Sequence, residues 1–173
     1  YEHNDMEALE RCLQRVPESA GALIVTDGLF SMSGDIANLP EIVRLAKTYG
    51  ARIMVDDAHG LGTLGKGGRG TPSHFGLEQE VDVYMGTFSK SLASLGGYMA
   101  GKSRIVDYVR HNSRPFIFSA SVPPASCAAA LAALNVLEEE PELPERLLRL
   151  SDFFREALKQ RGMSIRESRT PIV

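Results

Sequence analysis

The sequence predicts an α/β chain, a three-layer sandwich with helices on both faces of a mostly parallel sheet. Three observations predict it. Short apolar runs alternate with segments of helical periodicity, and these runs are continuous, as expected of strands covered on both faces. Polar clusters follow three of the runs, after Val25, Val55 and Met85, at the carboxyl ends where such sheets bind ligands.

Asn4 or Asp5 can cap a first helix, because Met6, Leu9, Leu13 and Val16 recur at helical spacing before Pro17 stops the pattern. The run Ala22-Leu23-Ile24-Val25 predicts a first strand, followed by the polar turn Thr26-Asp27-Gly28 and then Ser31 to Asp35. Pro40 opens a second helix through Ile42, Val43, Leu45 and Ala46, and Gly50 closes it. Arg52 to Val55 predicts a second strand, leading to Asp56-Asp57-Ala58-His59-Gly60 and a glycine-rich stretch that reads as a flexible connection. Val81 to Met85 and Gly97 to Ala100 predict the third and fourth strands. Helices are expected from Ser103 to His111, Pro124 to Glu139 and Pro144 to Gln160. Charge and proline interrupt the pattern at Glu138-Glu139-Glu140-Pro141, which places a domain boundary there, with residues 1–141 in a first domain and 142–173 in a second. A new apolar strand is expected at Thr170 to Val173. With Tyr at residue 1, this predicts a piece of a longer protein.

Composition narrows the function classes. The 173 residues are 43% hydrophobic and 24% charged with net charge -3, an ordinary globular balance. Ala125 to Leu134 is too short for a bilayer core of about 30 Å and predicts a packed helix, so no transmembrane segment is expected. The absence of a basic leader and of any Arg/Lys tract predicts a cytoplasmic protein that binds no nucleic acid. Cys12 and Cys127 stand alone and predict buried, unpaired thiols. Metal-ligand spacing is missing around Asp56, Asp57 and His59, so no metal is expected. His3, His74 and His111 show no partner in the sequence. Gly65-Lys66-Gly67-Gly68 lacks the order of a phosphate loop, and Ser31 lacks a hydrolase elbow.

Lys90 is the most informative residue. It follows a strand and enters the small-residue loop Gly86-Thr87-Phe88-Ser89-Lys90-Ser91, where an amine can meet a carbonyl carbon and a flat ring can enter. Together with Ser31 and the Asp56/His59 pair it puts complementary groups on three strand ends. Pyridoxal 5'-phosphate asks for this set: a carboxylate for its ring nitrogen (Asp56), polar neighbours for its phenolic oxygen (His59, Ser31), and hydroxyls with backbone N–H groups for its phosphate (Thr87, Ser89). Singly, each residue would read as a turn or a cap.

The motifs Asp27 to Asp35, Val55 to Gly62, Gly65 to Gly70 and Thr87 to Lys90 together resemble the α-oxoamine synthases, enzymes that use pyridoxal phosphate on an aminotransferase-like fold. The resemblance covers nearly the whole chain. It implies an incomplete cofactor-binding large domain followed by the start of a small C-terminal domain. It implies that Lys90 carries the cofactor and later moves protons at the substrate α-carbon, and that Asp56 pairs with the ring nitrogen. His59 and Ser31 would contact the phenolic oxygen and Thr87 the phosphate. Ser119 and Ala120 fall where family members reach a cofactor bound mainly by the other subunit, which implies a homodimer with shared active sites. A ring-stacking histidine would precede Tyr1, and a carboxylate-binding arginine would follow Val173. The implied partners are an amino acid and an acyl-CoA, condensed with decarboxylation. Segments 87–98 and 111–121 look most like members acting on L-serine and palmitoyl-CoA, while 26–39 looks equally like members acting on glycine and acetyl-CoA. A member forming 8-amino-7-oxononanoate, and a non-catalytic subunit of the same fold, are the other readings. The chain by itself is expected to be inactive.

Overall fold

Four strands form one sheet in the order β1-β2-β3-β4, which is also their order in the chain. The structure, a computed structural model, describes residues 1–173. β1 (Leu23–Asp27) and β2 (Arg52–Asp56) are parallel, as are β2 and β3 (Val83–Thr87), whereas β4 (Gly97–Gly101) runs antiparallel to β3. The reversal has a local cause. β3 and β4 are joined by the loop 88–96 alone, too short for a crossover helix, so the chain turns back on itself.

Helix α1 (Met6–Leu13) starts where Asp5 accepts the Ala8 N–H, and α2 (Leu39–Tyr49) ends on Gly50 in the left-handed conformation. Both helices pack on one face of the sheet. Leu9, Leu13, Ile42, Leu45, Ile24, Ile53 and Val55 form the core there, because alternate strand residues point to that side. The other face of β1 is bare in this chain, with Leu23 56% and Val25 52% exposed. That open face carries Asp27 and Asp56 at its end.

The loop after β2 is firmer than a flexible connection. Gly62 N–H donates to Gly68 O at 2.7 Å and Gly70 N–H to Leu64 O at 2.8 Å, which fold residues 60–70 into a compact turn before α3 (Thr71–Phe75). Asp57 anchors it. This carboxylate is buried, accepts Thr71 N–H at 2.7 Å, and lies so close beneath Gly28 and Gly60 that a side chain at either would strike it.

Helices α4 (Ser103–Asn112), α5 (Arg114–Ile117), α6 (Pro124–Glu139) and α7 (Leu143–Gln160) follow, and the break between α6 and α7 lies where the acidic run and Pro141 interrupt the pattern. α6 forms but is not a packed helix here: only Ala130 is buried, and Leu131 is 61% exposed. The strand expected at Thr170 to Val173 is absent, because the segment meets α7 rather than the sheet. The buried Arg155 guanidinium donates to Thr170 O at 2.7 Å and Ile172 O at 3.3 Å, taking oxygens that a strand would need. Both cysteines are free and exposed, contrary to their expected burial. α1 turns Leu9 and Leu13 inward and Cys12 away, while Cys127 sits on the uncovered α6. No helix is long and apolar enough to cross a membrane.

Candidate active site

The loop that bears Lys90 is closed by its own backbone. Phe88 N–H donates to Gly96 O at 2.9 Å and Ser94 N–H to Phe88 O at 2.8 Å, so residues 88–96 form a tied hairpin end. Thr87 Oγ1 lies 2.7 Å from Ser89 Oγ and donates to Gly96 O at 3.0 Å, which sets two hydroxyls side by side just before the lysine. Ser91 Oγ donates to Leu61 O at 2.7 Å and docks this loop on the one that follows β2. Two loops far apart in sequence thus meet at one place.

They form one wall of a cavity of about 720 Å³ that Lys90 and His59 both line, together with Ala58, Leu61 and Gly62, while Val136 and Leu137 of α6, Leu143 and Leu147 of α7 and Ile172 form the other. Small and apolar walls with few polar groups are the usual make-up of a small-molecule site. Lys90 is exposed, and the lysines engaged in salt bridges are Lys47 and Lys159. Its amine is therefore available to a ligand. Asp56 ends β2 on the same side, where its Oδ1 accepts Ala58 N–H at 3.0 Å.

The electrostatics tie these groups together. Burial lowers the His59 pKa, the Lys90 charge lowers it further, and Asp27 and Asp56 oppose them. Burial raises Asp27, Asp56 adds to the rise, and His59, Lys90 and His3 act against it. Two carboxylates, an imidazole and an amine thus form one coupled cluster at three strand ends. Asp27, expected in a polar loop, is a member of this group. Its signal was its place: it ends β1 as Asp56 ends β2.

Other expected residues lie at the edge of the cluster or outside it. Ser31 is exposed in the turn after β1, and Thr87 ends β3 next to Ser89. Ser119 and Ala120 are exposed beyond α5 and hydrogen-bond to none of the others. His3, expected to be without a partner, has one: its Nε2 lies 2.6 Å from Asp35 Oδ2, and its ring meets Phe30 edge-on at 4.3 Å. Burial alone would raise the Asp35 pKa, but hydrogen bonds from Ser33, His3 and Asn4 outweigh it and hold the carboxyl below its usual range.

Comparison with known proteins places this arrangement. The chain is 51% identical over 173 residues to a serine palmitoyltransferase of Sphingobacterium spiritivorum, covering 100% of this chain and 43% of the relative. It is 52% identical to 8-amino-7-oxononanoate synthase 1 of Bacillus velezensis, covering 100% of this chain and 44% of the relative. The chain thus spans less than half the length of these curated relatives. Among solved structures, Sphingomonas wittichii serine palmitoyltransferase superposes with a TM-score of 0.91 at 36% identity, over 97% of this chain and 43% of that one. A serine palmitoyltransferase from S. paucimobilis, solved with a bound PLP–myriocin aldimine, gives 0.90 at 38% identity, over 96% of this chain and 44% of that one. The sequence profile of aminotransferase class I and II matches residues 1–173, and with the mixed sheet and the lysine loop in place, the chain belongs to that family.

Proposed function

We propose that the full-length protein carrying this chain is a pyridoxal-phosphate-dependent C-acyltransferase of the α-oxoamine synthase type, with L-serine and palmitoyl-CoA as its substrates. The observation that carries the reading is the shared cavity of Lys90 and His59, backed by Asp56. The residues fit the cofactor. An exposed amine can take its aldehyde, a strand-end carboxylate suits its ring nitrogen, and the paired Thr87 and Ser89 hydroxyls suit its phosphate. Ala58 and Gly62 leave room for a flat ring. When bound, pyridoxal phosphate supplies an electron sink for negative charge at the α-carbon of an amino acid.

In this reading Lys90 would hold the cofactor covalently through its amine. The same amine would take the proton from the substrate α-carbon and later return one. Asp56 would keep the ring nitrogen protonated, since an adjacent anion favours the charged form. His59 and Ser31 serve the phenolic oxygen. Overall, a bond forms between the serine α-carbon and the thioester carbonyl carbon, CoA leaves as its thiol, the carboxylate leaves as carbon dioxide, and a proton takes its place. The product is 3-oxosphinganine. Ser119 and Ala120, exposed here, would complete the site of a second subunit in a homodimer, and residues 142–173 would lead from the large domain into a small one.

The Bacillus velezensis relative, as similar as the serine palmitoyltransferases, supports a second reading. An 8-amino-7-oxononanoate product disconnects between C7 and C8 into alanine and a seven-carbon dicarboxylic acyl thioester. Free thiol should therefore be measured with the full-length protein and pyridoxal phosphate, for L-serine with palmitoyl-CoA, L-alanine with pimeloyl-CoA, and glycine with acetyl-CoA. Release with the first pair supports the proposal. Release with only the second or third replaces it, and release with none favours a non-catalytic subunit.

A further inference from the structure

Gly34 is buried, and no backbone N–H reaches its carbonyl oxygen. Two hydroxyls from the far end of the chain donate to it instead, Ser168 Oγ and Thr170 Oγ1, each at 2.8 Å. The hydroxyls lie 2.9 Å from one another. Two protons thus serve three short O···O contacts, and because both cannot lie between the hydroxyls, at least one always goes to Gly34 O. Gly34 has φ +70°, and a Cβ built on it would stand 3.2 Å from Ile172 Cβ and from Ser168 Oγ, so glycine supplies both the conformation and the close approach.

Each side of this contact continues into the Lys90 cavity. Gly34 closes the loop after β1: its N–H donates to Phe30 O at 2.9 Å, Phe30 N–H donates to Asp35 O at 3.0 Å, and Leu29 bridges Ile36. The tip of that loop carries Ser31, and its base carries Leu29, which lines the cavity. On the other side Thr170 precedes Pro171 and Ile172, which line the same cavity. Arg155 fixes this segment on α7 through Thr170 O and Ile172 O. Thr170 is 1% exposed, so water does not stand in for its hydroxyl.

We propose that Thr170 and Ser168 are positioning residues of the site, a hydroxyl latch that holds the Ser31 loop against the Pro171–Ile172 segment and so fixes these two parts of the cavity wall relative to each other. The service of this loop to a cofactor rests on the function proposed above; the latch does not. Loss of both hydroxyls leaves a buried carbonyl without a donor, which the loop relieves by opening to water. Loss of one leaves the other to donate.

The test is hydrogen–deuterium exchange of the full-length protein without added cofactor, read by mass spectrometry on peptides covering 29–36 and, as a control, 52–57, paired with equilibrium binding of pyridoxal phosphate. Wild type would be compared with Thr170→Val, Thr170→Ser, Ser168→Ala and the double variant Ser168→Ala/Thr170→Val. In the double variant the 29–36 amides should exchange about tenfold faster while 52–57 keeps its rate, and affinity for pyridoxal phosphate should fall several-fold. Thr170→Val and Ser168→Ala should each have a smaller effect, and Thr170→Ser, which keeps the hydroxyl, should match wild type. Unchanged exchange at 29–36 in the double variant, or equal acceleration at 52–57, overturns the latch. Faster exchange at 29–36 with unchanged affinity overturns its positioning role. Should the double variant not fold, Thr170→Val against Thr170→Ser decides: a several-fold gap at 29–36 supports the latch, and equal rates overturn it. Should the wild-type protein bind no pyridoxal phosphate, the proposed function falls, and the exchange comparison still decides the latch.

Discussion

Ser91 closes over Gly62: a Cβ built on Gly62 would stand 2.5 Å from the Ser91 Cβ, and Gly62 has φ +76°. This contact, with the Ser91 Oγ–Leu61 O hydrogen bond at 2.7 Å, joins the Lys90 loop to the His59 loop. Gly62→Ala should cost about 1–3 kcal/mol, from left-handed strain and displacement of Ser91. Because the displaced loop carries Lys90, the same variant should weaken uptake of pyridoxal phosphate. Ser91→Ala, which removes the hydrogen bond without a clash, should cost about 1 kcal/mol. Denaturant unfolding and a cofactor titration measure both effects.

Asp57 gives a pH dependence of defined sign. Burial raises its folded-state pKa, while hydrogen bonds from Thr71 lower it and Asp56 adds to the rise. The folded state therefore holds this proton more tightly than the unfolded chain does. Stability from this group falls as pH rises from the unfolded value, about 3.9, through the raised folded one, and is flat above it. Asp57→Asn should remove that slope. Denaturation midpoints of both proteins between the two pKa values and above them should converge toward the acid side and separate toward neutral pH.

Asp35 has the opposite sign. Its lowered pKa gives stability that is present above the unfolded value and lost as pH falls through the folded one. His3 and Asp35 are 52% and 38% exposed, so solvent screening keeps the pair below about 1 kcal/mol. His3→Ala should shift the acid limb of unfolding slightly and leave the neutral plateau almost unchanged.

Arg155 is buried and holds the chain end through Thr170 O and Ile172 O, with Asp152 as its carboxylate partner. Arg155→Ala should cost about 2–4 kcal/mol, because it strands buried carbonyls and empties a packed site. Limited proteolysis should then cut near residue 170 before the sheet is attacked.

Much of this was legible locally. Continuous apolar runs marked the strands, Asp5 and Gly50 marked helix ends, and the polar residues after Val25, Val55 and Met85 marked the side on which the cluster forms. Long-range relations were not. The Asp27–Asp56 pairing depends on strand register, which a 29-residue separation hides. The His3–Asp35 contact joins positions 32 apart and has no periodic signature. Thr170 to Val173 looks like a strand by composition, yet the carbonyl acceptors there are spent on Arg155. Cys12 and α6 were expected inside because apolar residues favour burial, but burial needs a covering element and this chain places none over them.

Lys90 is the proposed reactive amine of the site. The direct measurement is borohydride reduction of the full-length protein loaded with pyridoxal phosphate, followed by digestion and mass mapping of the pyridoxyl label. A single major label is expected on the peptide containing Lys90, with loss of that label and of the associated visible absorbance in Lys90→Ala. A label on another lysine, or unchanged absorbance in Lys90→Ala, would contradict it.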